Sequence, residues 1–495
     1  MFMTCPVHFR RKGVFAVALL LLSACAVPPA SGPRAEPRTA GGVAAARSLS
    51  GDAAHWPAGT WWTGYGDAQL DRLMQEGVSA SPDMAAAAAR FRRAQALARG
   101  AGAALLPRLD AQGSVTMDRQ SLNTGFPPEF KDVLPQGWHD HGLGALSFSL
   151  DLDLWGKNRA ALAAATSETR AAAIDARQAR LMLTTGIAQA YADLARLYVE
   201  RDVRQGALDI RASTRKLVDD RMRSGLDTLG DVRQAEAGLS TARAELAAAD
   251  EAIALRRNQI AALLGAGPDR GLDITRPALS VLTAHGLTAQ GLPAGVTTDL
   301  IGRRPDIAAA RARMEAAASR IKVARADFFP AISLSALVGV QALGLDDLVR
   351  RDSVYGSAGP AISLPIFHGG ALTGRYRGAR ASYDEAVASY DRTVIDAYRE
   401  VADAVTSQRA LGQRLTDARA ALAASEQAYG IARKRYEGGL STYLDVLVVE
   451  ERLLQARQTA ATLAMRAFTL DVALVRALGG GFAATDILAK DRPNG

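Results

Sequence analysis

Two 23-residue stretches, RMRSGLDTLGDVRQAEAGLSTAR from Arg221 to Arg243 and RYEGGLSTYLDVLVVEERLLQAR from Arg435 to Arg457, share ten identities at one fixed offset of 214 residues. Gly225/Gly439, Leu226/Leu440, Thr228/Thr442, Asp231/Asp445 and Val232/Val446 are among the matches. A chain that writes the same punctuation twice is built from two copies of one structural plan, and such a repeat constrains architecture before any single residue does. The echo extends upstream. A strand-like segment ending in an aromatic residue and glycine precedes each copy, LSFSLDLDLWG (Leu146–Gly156) and PAISLPIFHGG (Pro360–Gly370). Ahead of each lies another strand-like segment, introduced by proline: LLPRLDAQGSVTMD (Leu105–Asp118) and FFPAISLSALVGVQ (Phe328–Gln341). The order helix, strand, loop, strand, long segment, glycine turn, second segment therefore occurs twice.

Period two runs through these strands. Leu146, Phe148, Leu150, Leu152 and Leu154 share one face, opposite Ser147, Ser149, Asp151 and Asp153. Leu109, Ala111, Val115 and Met117 oppose Asp110, Gln112, Ser114, Thr116 and Asp118, and Ile332, Leu334, Ala336, Val338 and Val340 repeat the pattern. Such alternation suits a sheet with one face in lipid and one in water, and equally a soluble sandwich. The rest of the chain decides against the sandwich. No proline occurs from Gln136 to Gly267 or from Ile366 to Arg492, so each half has room for very long helices. Ile187, Tyr191, Leu194 and Tyr198 step by 4, 3 and 4, as do Val394, Tyr398, Val401 and Val405, which is the spacing of coiled-coil contact. A helix from Lys157 to Arg223 would be roughly 100 Å long at 1.5 Å per residue. Alanine-rich runs and an aromatic content of only 6% fit close helix packing. A sheet in lipid leaves no open edge, so a spanning chain with four strands has to oligomerise. Two copies give about eight strands with a filled interior, and three give about twelve around a lumen.

The N-terminus follows a separate logic. Arg10, Arg11 and Lys12 precede a short apolar run from Val14 to Leu22, and small residues follow, which is the pattern of a cleaved secretory signal. The run is far shorter than the roughly 20 residues of a spanning helix. It ends in Leu22-Ser23-Ala24-Cys25, similar to the bacterial lipoprotein signal, whose cysteine is acylated and becomes the new first residue; an ordinary signal with a chance cysteine is the other reading. Cys5 and Cys25 are the only cysteines, so the mature chain has no thiol to spare for a disulfide or a metal. Ala26, where an Asp is absent, resembles an outer-membrane address. Removing Arg10, Arg11 and Lys12 lowers the formal net charge from +8 to +5. Arg alternates with Asp and Glu along the helical stretches instead of forming a patch, which argues against nucleic acid.

Read in order, WWTGYGDAQLDRLMQEGVSASPDM (Trp61–Met84), LDLWG, LIGRRPDI (Leu300–Ile307) and RYEGGLSTYLDVL make almost the whole mature chain resemble the outer-membrane factor family. These are the trimeric channel-tunnels of tripartite efflux and type I secretion systems, and the chain is most similar to the lipid-anchored branch that serves RND-type efflux pumps. The resemblance implies a mainly α protein with a transmembrane β-barrel. Duplicated helix-strand-strand-helix halves from three chains would form a 12-stranded barrel in the outer membrane, continued by a long α-helical barrel across the periplasm. Loops at 119–140 and 342–353 would be extracellular. The helix turns at Ser224-Gly225 and Gly438-Gly439 would form the periplasmic tip, where Gly225, Leu226, Gly438, Gly439 and Leu440 meet a periplasmic adaptor (membrane fusion) protein coupled to an inner-membrane RND-type pump.

Asp231, Asp445 and Tyr436 match family positions of the periplasmic gate. The residues themselves leave a second reading for the aspartates, because Thr228-x-x-Asp231 and Thr442-x-x-Asp445 are also helix-capping pairs. Ser441 stands where some relatives have Arg, and Val448 replaces a second tip carboxylate. Arg221, Arg223, Arg433, Lys434 and Arg435 are either salt-bridge donors or cations that complement helix C-termini.

The resulting division is a lipoprotein signal peptide at 1–24, a lipid-anchored linker at 25–66, a first repeat at 67–275, a second at 276–480 and a tail at 481–495. The expected strands are about 108–118, 144–155, 331–341 and 354–367. Pro305 in GRRPDI reads as a helix start, not as chemistry. No nucleophile motif, phosphate loop or dinucleotide fingerprint occurs, so a passive homotrimeric duct is expected, not an enzyme. No cofactor is expected beyond a covalent lipid on Cys25, and the close pair His139 and His141 falls short of a metal site. Within the family the alternative is a type I protein secretion duct. Outside it, the alternative is a periplasmic coiled-coil adaptor lipoprotein, which two matched hairpins and two strand pairs disfavour.

Overall fold

The computed structural model describes residues 29–30, 32–39, 42–49, 53–121, 127, 129, 132–278, 292–293 and 295–483. Cys25 and the signal segment lie outside the described residues. Helix dominates, and the duplication is written into the element bounds. Helices α1 (Ala68–Ala80) and α2 (Pro82–Ala103) lead to strands β1 (Arg108–Asp118) and β2 (His139–Asp151), then to helices α3 (Lys157–Arg223) and α4 (Leu229–Leu264). After the single turn α5 (Asp269–Leu272), the second half runs α6 (Val296–Arg303), α7 (Pro305–Ala326), β3 (Ala331–Leu343), β4 (Val354–Ser363), α8 (Ala371–Glu437) and α9 (Tyr443–Ala477). Helices α3 and α8 each hold 67 residues, and the 214-residue offset relates both their starts and their ends. Pro305 opens α7, where its missing N–H costs no helical bond. Among the described residues no helix is long and apolar enough to cross a membrane.

These four strands form one antiparallel sheet in the order β1-β2-β3-β4, and the short segments Ala53–Ala54 and Leu292–Pro293 pair in parallel as a second sheet. Its register pairs Leu109 with Phe148, Ala111 with Leu146, Phe148 with Ala336, Leu146 with Val338 and Ile332 with Ile362. Because side chains alternate between faces, these residues share one side with Val115, Met117, Leu150, Leu334 and Val354. That apolar side is uncovered: Leu109 is 68% exposed, Val115 65% and Ile362 70%. Asp110, Gln112, Ser114, Thr116, Ser147, Ser149, Ser333 and Ser335 occupy the other side. The outer edges of β1 and β4 pair with no strand among the described residues.

Three strands depart from expectation, β3 by only two residues. β2 covers His139–Asp151 and not 144–155, because the chain turns sharply after Leu152, whose N–H still reaches the Ile332 carbonyl at 3.0 Å. Asp153 adopts φ +38°, and its carboxylate accepts the N–H groups of Asn158 (2.8 Å) and Arg159 (3.0 Å), which starts α3. Leu154 and Trp155 therefore leave the ladder, and LDLWG is a strand-to-helix corner. β4 stops at Ser363, ahead of 367, since Pro365 offers no ladder donor. The loops shrink to match, with β2 beginning at His139 inside the expected 119–140 loop and β3 running on to Leu343.

The chain divides into two compact units. One, built mainly from 92–170 and 311–388, holds the sheet and a small core of Ile321, Ala324, Phe328 and Tyr376, in which the two rings meet edge to face at 6.1 Å. The other comprises 37–91, 171–310 and 389–495. In it Ile187, Tyr191 and Leu194 of α3 bury against Leu70, Leu73 and Met74 of α1 and Phe468 and Val472 of α9. Val394, Tyr398, Val401 and Val405 of α8 bury against Val296, Leu300 and Ile307. The heptad residues of both halves are thus core, with Tyr198 only half-buried at its margin. Arg304 of GRRPDI is enclosed by Asp306 (2.6 Å), Glu400 (2.7 Å) and the Ala477 carbonyl (3.0 Å), so this motif fastens helix ends.

Candidate functional site

Each long helix reverses through a turn that the sequence specifies residue by residue. After α3, Gly225 takes φ +74°, its N–H reaches the Met222 carbonyl at 2.9 Å, and the Leu226 N–H returns to the Arg221 carbonyl at 2.9 Å. After α8, Gly439 takes φ +72°, its N–H reaches the Tyr436 carbonyl at 3.0 Å, and the Leu440 N–H returns to the Arg435 carbonyl at 2.8 Å. Both are glycine-terminated helix ends of the Schellman type. The left-handed residue is the reason each copy carries glycine there. Gly438 still belongs to the last helical turn, its N–H bonding the Lys434 carbonyl at 3.0 Å.

Thr228 and Thr442 start the return helices. The Asp231 N–H donates to Thr228 Oγ1 at 3.3 Å, while the Thr228 N–H and hydroxyl donate to Asp231 Oδ2 at 2.9 and 2.7 Å. Thr442 and Asp445 repeat the reciprocal pattern at 3.4, 2.9 and 2.9 Å. The Thr228 side chain and backbone hold the Asp231 carboxyl below the usual carboxylate range, and the Thr442 backbone and side chain do the same for Asp445. Both aspartates are therefore anionic helix caps. Leu226 and Leu440 stand out from the turns, 65% and 72% exposed, with Leu229 and Leu444 also exposed.

Tyr436 meets a different carboxylate. It is fully buried, and its hydroxyl donates to Asp227 in the α3–α4 turn. Arg221 completes the cluster: its Nε lies 3.0 Å from Asp227 Oδ2, its Nη1 donates to the Tyr436 carbonyl at 2.9 Å, and its guanidinium carbon sits 4.3 Å from the Tyr436 ring centroid. Burial, and then the bond to Asp227, push the Tyr436 phenol up, while Asp227 holds Arg221 further toward its charged form. Val218, Val232, Ala235, Tyr443 and Val446 close around the ring. One phenol thereby ties the end of α8 to the first turn.

The repeat breaks at this cluster. The offset maps Asp227 onto Ser441 and Arg221 onto Arg435. The buried Ser441 hydroxyl has no hydrogen-bond partner among the described residues, and Arg435 is exposed. Arg223 pairs with Asp219 at 2.8 Å and Arg433 with Glu437 at 2.9 Å, both one helical turn away, and Val448 is exposed.

A second buried carboxylate, Glu450 of α9, accepts the Thr214 hydroxyl at 3.2 Å and has Arg211 Nε 3.6 Å away. Arg211 also donates to the Gly238 carbonyl and to Glu451, each at 3.1 Å, so one side chain joins α3, α4 and α9. Burial pushes the Glu450 carboxyl up against the opposing pull of Thr214 and Arg211. Sequence reasoning missed both Asp227 and Glu450. Asp227 is a polar position at which the two copies differ, and Glu450 interrupts the 3-4-3 stripe of Tyr443, Val446 and Leu453. Elsewhere, His141 Nδ1 lies 3.1 Å from Asp118 and His139 Nε2 lies 2.9 Å from the Gln136 carbonyl, so the two histidines are engaged separately.

A family model for outer membrane efflux proteins matches residues 73–266 and 296–480. The fusaric acid resistance protein FusA of Burkholderia cepacia is 36% identical over 379 residues, 75% of this chain and 70% of that protein. The pyoverdine export outer membrane protein OpmQ of Pseudomonas aeruginosa is 30% identical over 469 residues, 94% of this chain and 96% of that protein. Among solved structures, the outer membrane protein VceC of Vibrio cholerae aligns with a TM-score of 0.78 at 45% identity, over 86% of this chain and 100% of that one. With both halves of the duplication matched, the chain belongs to the outer membrane efflux protein family.

Proposed function

We propose that three copies of this chain form the outer-membrane duct of a tripartite efflux system, through which drugs or other small molecules pass passively from periplasm to exterior. The sheet carries this reading. One face is apolar and uncovered across all four strands, the other carries most of the polar side chains, and both edge strands lack a neighbour among the described residues. An unpaired edge is not tolerated in lipid, so copies have to close the sheet together. About eight strands from two copies would be filled by side chains, whereas about twelve from three leave a lumen.

The helix turns are read as the periplasmic tip. Leu226 and Leu440, held out by glycine-terminated helices, offer apolar contacts to a periplasmic adaptor that couples the duct to an inner-membrane RND-type pump. Threefold repetition gathers Asp231 and Asp445 into a ring of carboxylates that favours cations. The cluster of Arg221, Asp227 and Tyr436 restrains the tip in its resting state.

A lipid on Cys25 fits the same orientation. Arg380 donates to the Gly32 carbonyl at 2.5 Å, the Ala35 N–H donates to Asp384 at 3.3 Å, and the Arg38 N–H donates to Asp391 at 2.8 Å. As residue number falls, the segment climbs α8 toward its start at Ala371. From Gly32 the seven residues back to Cys25 reach roughly 23–25 Å when extended, more than the roughly 14 Å of helix between Arg380 and Ala371.

The purified mature protein, weighed in detergent and reconstituted in planar bilayers, tests the proposal. A mass of three chains and stepwise ion conductance are expected; a water-soluble monomer that never conducts overturns it.

A further inference from the structure

Resting on that membrane placement, we infer that the corner where β2, β3 and β4 meet their helices binds the head group of a zwitterionic glycerophospholipid, one that carries a phosphate and a primary ammonium. The LDLWG corner and the Phe329-Pro330 entry to β3 border a cavity of about 420 Å³. Trp155 stacks on Phe329 with ring centroids 4.8 Å apart, and its indole N–H donates to the Pro330 carbonyl at 2.8 Å. The indole is thereby fixed as an aromatic wall with half its surface open. Tryptophan is also the side chain that settles at a membrane–water boundary.

The charges in the cavity sort into used and unused groups. Lys157 and Asp327 satisfy each other at 2.7 Å, and Asp153 is taken up by the first turn of α3. Arg375 and Asp151 also line the cavity, are exposed, and have no partner among the described residues. A site for a simple anion would offer an excess of cations, and a site for a simple cation an excess of carboxylates. One free guanidinium and one free carboxylate around an aromatic wall instead match a dipolar ligand. The planar fork of Arg375 suits a phosphate, and Asp151 with the open indole face suits an ammonium.

The acyl chains have a path as well. Ile332 forms part of the wall and pairs across the sheet with Ile362, on the apolar face that continues through Leu334. At about 420 Å³ the cavity holds a head group and leaves the chains to that face. Small-molecule pockets span roughly 300–1,000 Å³, which places this one at the small end.

Native mass spectrometry of the mature protein in detergent reads the inference directly, with phosphatidylethanolamine, phosphatidylglycerol of matched chains and inorganic phosphate as probes. Phosphatidylethanolamine is expected to be retained about tenfold more tightly than phosphatidylglycerol, the factor that one charge-assisted pairing supplies. Arg375→Ala should weaken both lipids, while Asp151→Asn should erase the preference and keep phosphatidylglycerol. Equal retention of both lipids by the wild type, or wild-type retention by Arg375→Ala, overturns the site. So does inorganic phosphate that displaces bound lipid at matched concentration, since that assigns the corner to a free anion. A conducting trimer with any of these results loses the lipid site alone, whereas a monomer that never conducts loses the duct reading itself.

Discussion

Replacing Tyr436 by Phe keeps the ring in its pocket and deletes one hydroxyl. The bond lost is the one to Asp227, and a hydrogen bond to a charged group contributes about 1.5–3 kcal/mol. Asp227 retains Arg221 at 3.0 Å, so no buried charge is orphaned and the cost stays near the lower half of that range. If the hydroxyl bond exists only in the resting tip, about 2 kcal/mol raises the open population of each chain roughly thirtyfold. Asp227→Ala is harsher. It removes the phenol's acceptor and leaves Arg221, only 12% exposed, without its partner, a change that costs about 3–5 kcal/mol in a buried pair. Open probability in planar bilayers should therefore rise from wild type to Tyr436→Phe to Asp227→Ala, and entry of a large antibiotic into cells should rise in the same order. The mass of the assembly should not change. Wild-type open probability in Tyr436→Phe, together with an unaltered melting temperature, would refute the assignment of this cluster as the restraint on the tip.

Cap and pore roles of the aspartates separate by comparing two double variants. Thr228→Ala with Thr442→Ala should destabilise the tip by about 1 kcal/mol per helix start, and Asp231→Ala with Asp445→Ala should act in the same direction, but only the aspartate pair should reduce cation preference, read from reversal potentials across a salt gradient. Glu450 should give stability a second pH dependence. Its carboxyl is raised by burial, so its contribution is complete below the unfolded carboxylate value of 4.5 and is lost as pH rises through the higher folded value; Glu450→Gln should flatten the part of a melting-temperature profile that lies above pH 4.5. Asp231 and Asp445 carry the opposite sign. Their lowered values mean that the caps contribute above about pH 3.8 and fade as pH falls through the folded values, which amide exchange at the turns in acid should report.

What the sequence reveals depends on whether a feature is local. Gly225, Gly439 and the two Thr-x-x-Asp boxes are legible because their partners lie within a few residues and obey general backbone rules. The strand faces are legible for the same reason, since period two is a property of one segment. The corner after β2 is not, because Leu154 continues the alternation while Asp153 leaves the ladder to cap α3. The partner of Tyr436 is harder still. Asp227 lies 209 residues away along the chain, and only the packing of α8 beside the first turn selects it over Asp231. Glu450 is intermediate: an acidic residue on an apolar stripe announces a buried charge, but not that Thr214 and Arg211 of α3 receive it.

The duplication is identical where the backbone makes demands and divergent where a side chain reaches away from its own hairpin. Gly, Thr and Asp recur because both turns need the same reversal and the same cap. Tyr436 maps onto Met222 and Asp227 onto Ser441, so the chain has one cross-tie, from the end of α8 to the α3–α4 turn, in place of two. The missing counterpart would run from the end of α3 to an α8–α9 turn. The second turn consequently has no carboxylate in the place of Asp227, and its buried Ser441 hydroxyl has no partner among the described residues. Amide exchange around 439–442 should then be faster than around 225–228. Met222→Tyr with Ser441→Asp supplies both halves of the absent tie, next to the exposed Arg435 that corresponds to Arg221. This double variant should slow exchange at the second turn and lower the open probability, by up to about thirtyfold if the new tie matches a 2 kcal/mol bond made only in the resting tip, while neither single change does so. If the double variant exchanges and conducts as the wild type does, the two turns are not related by a common tie, and the difference between Asp227 and Ser441 carries no mechanical meaning.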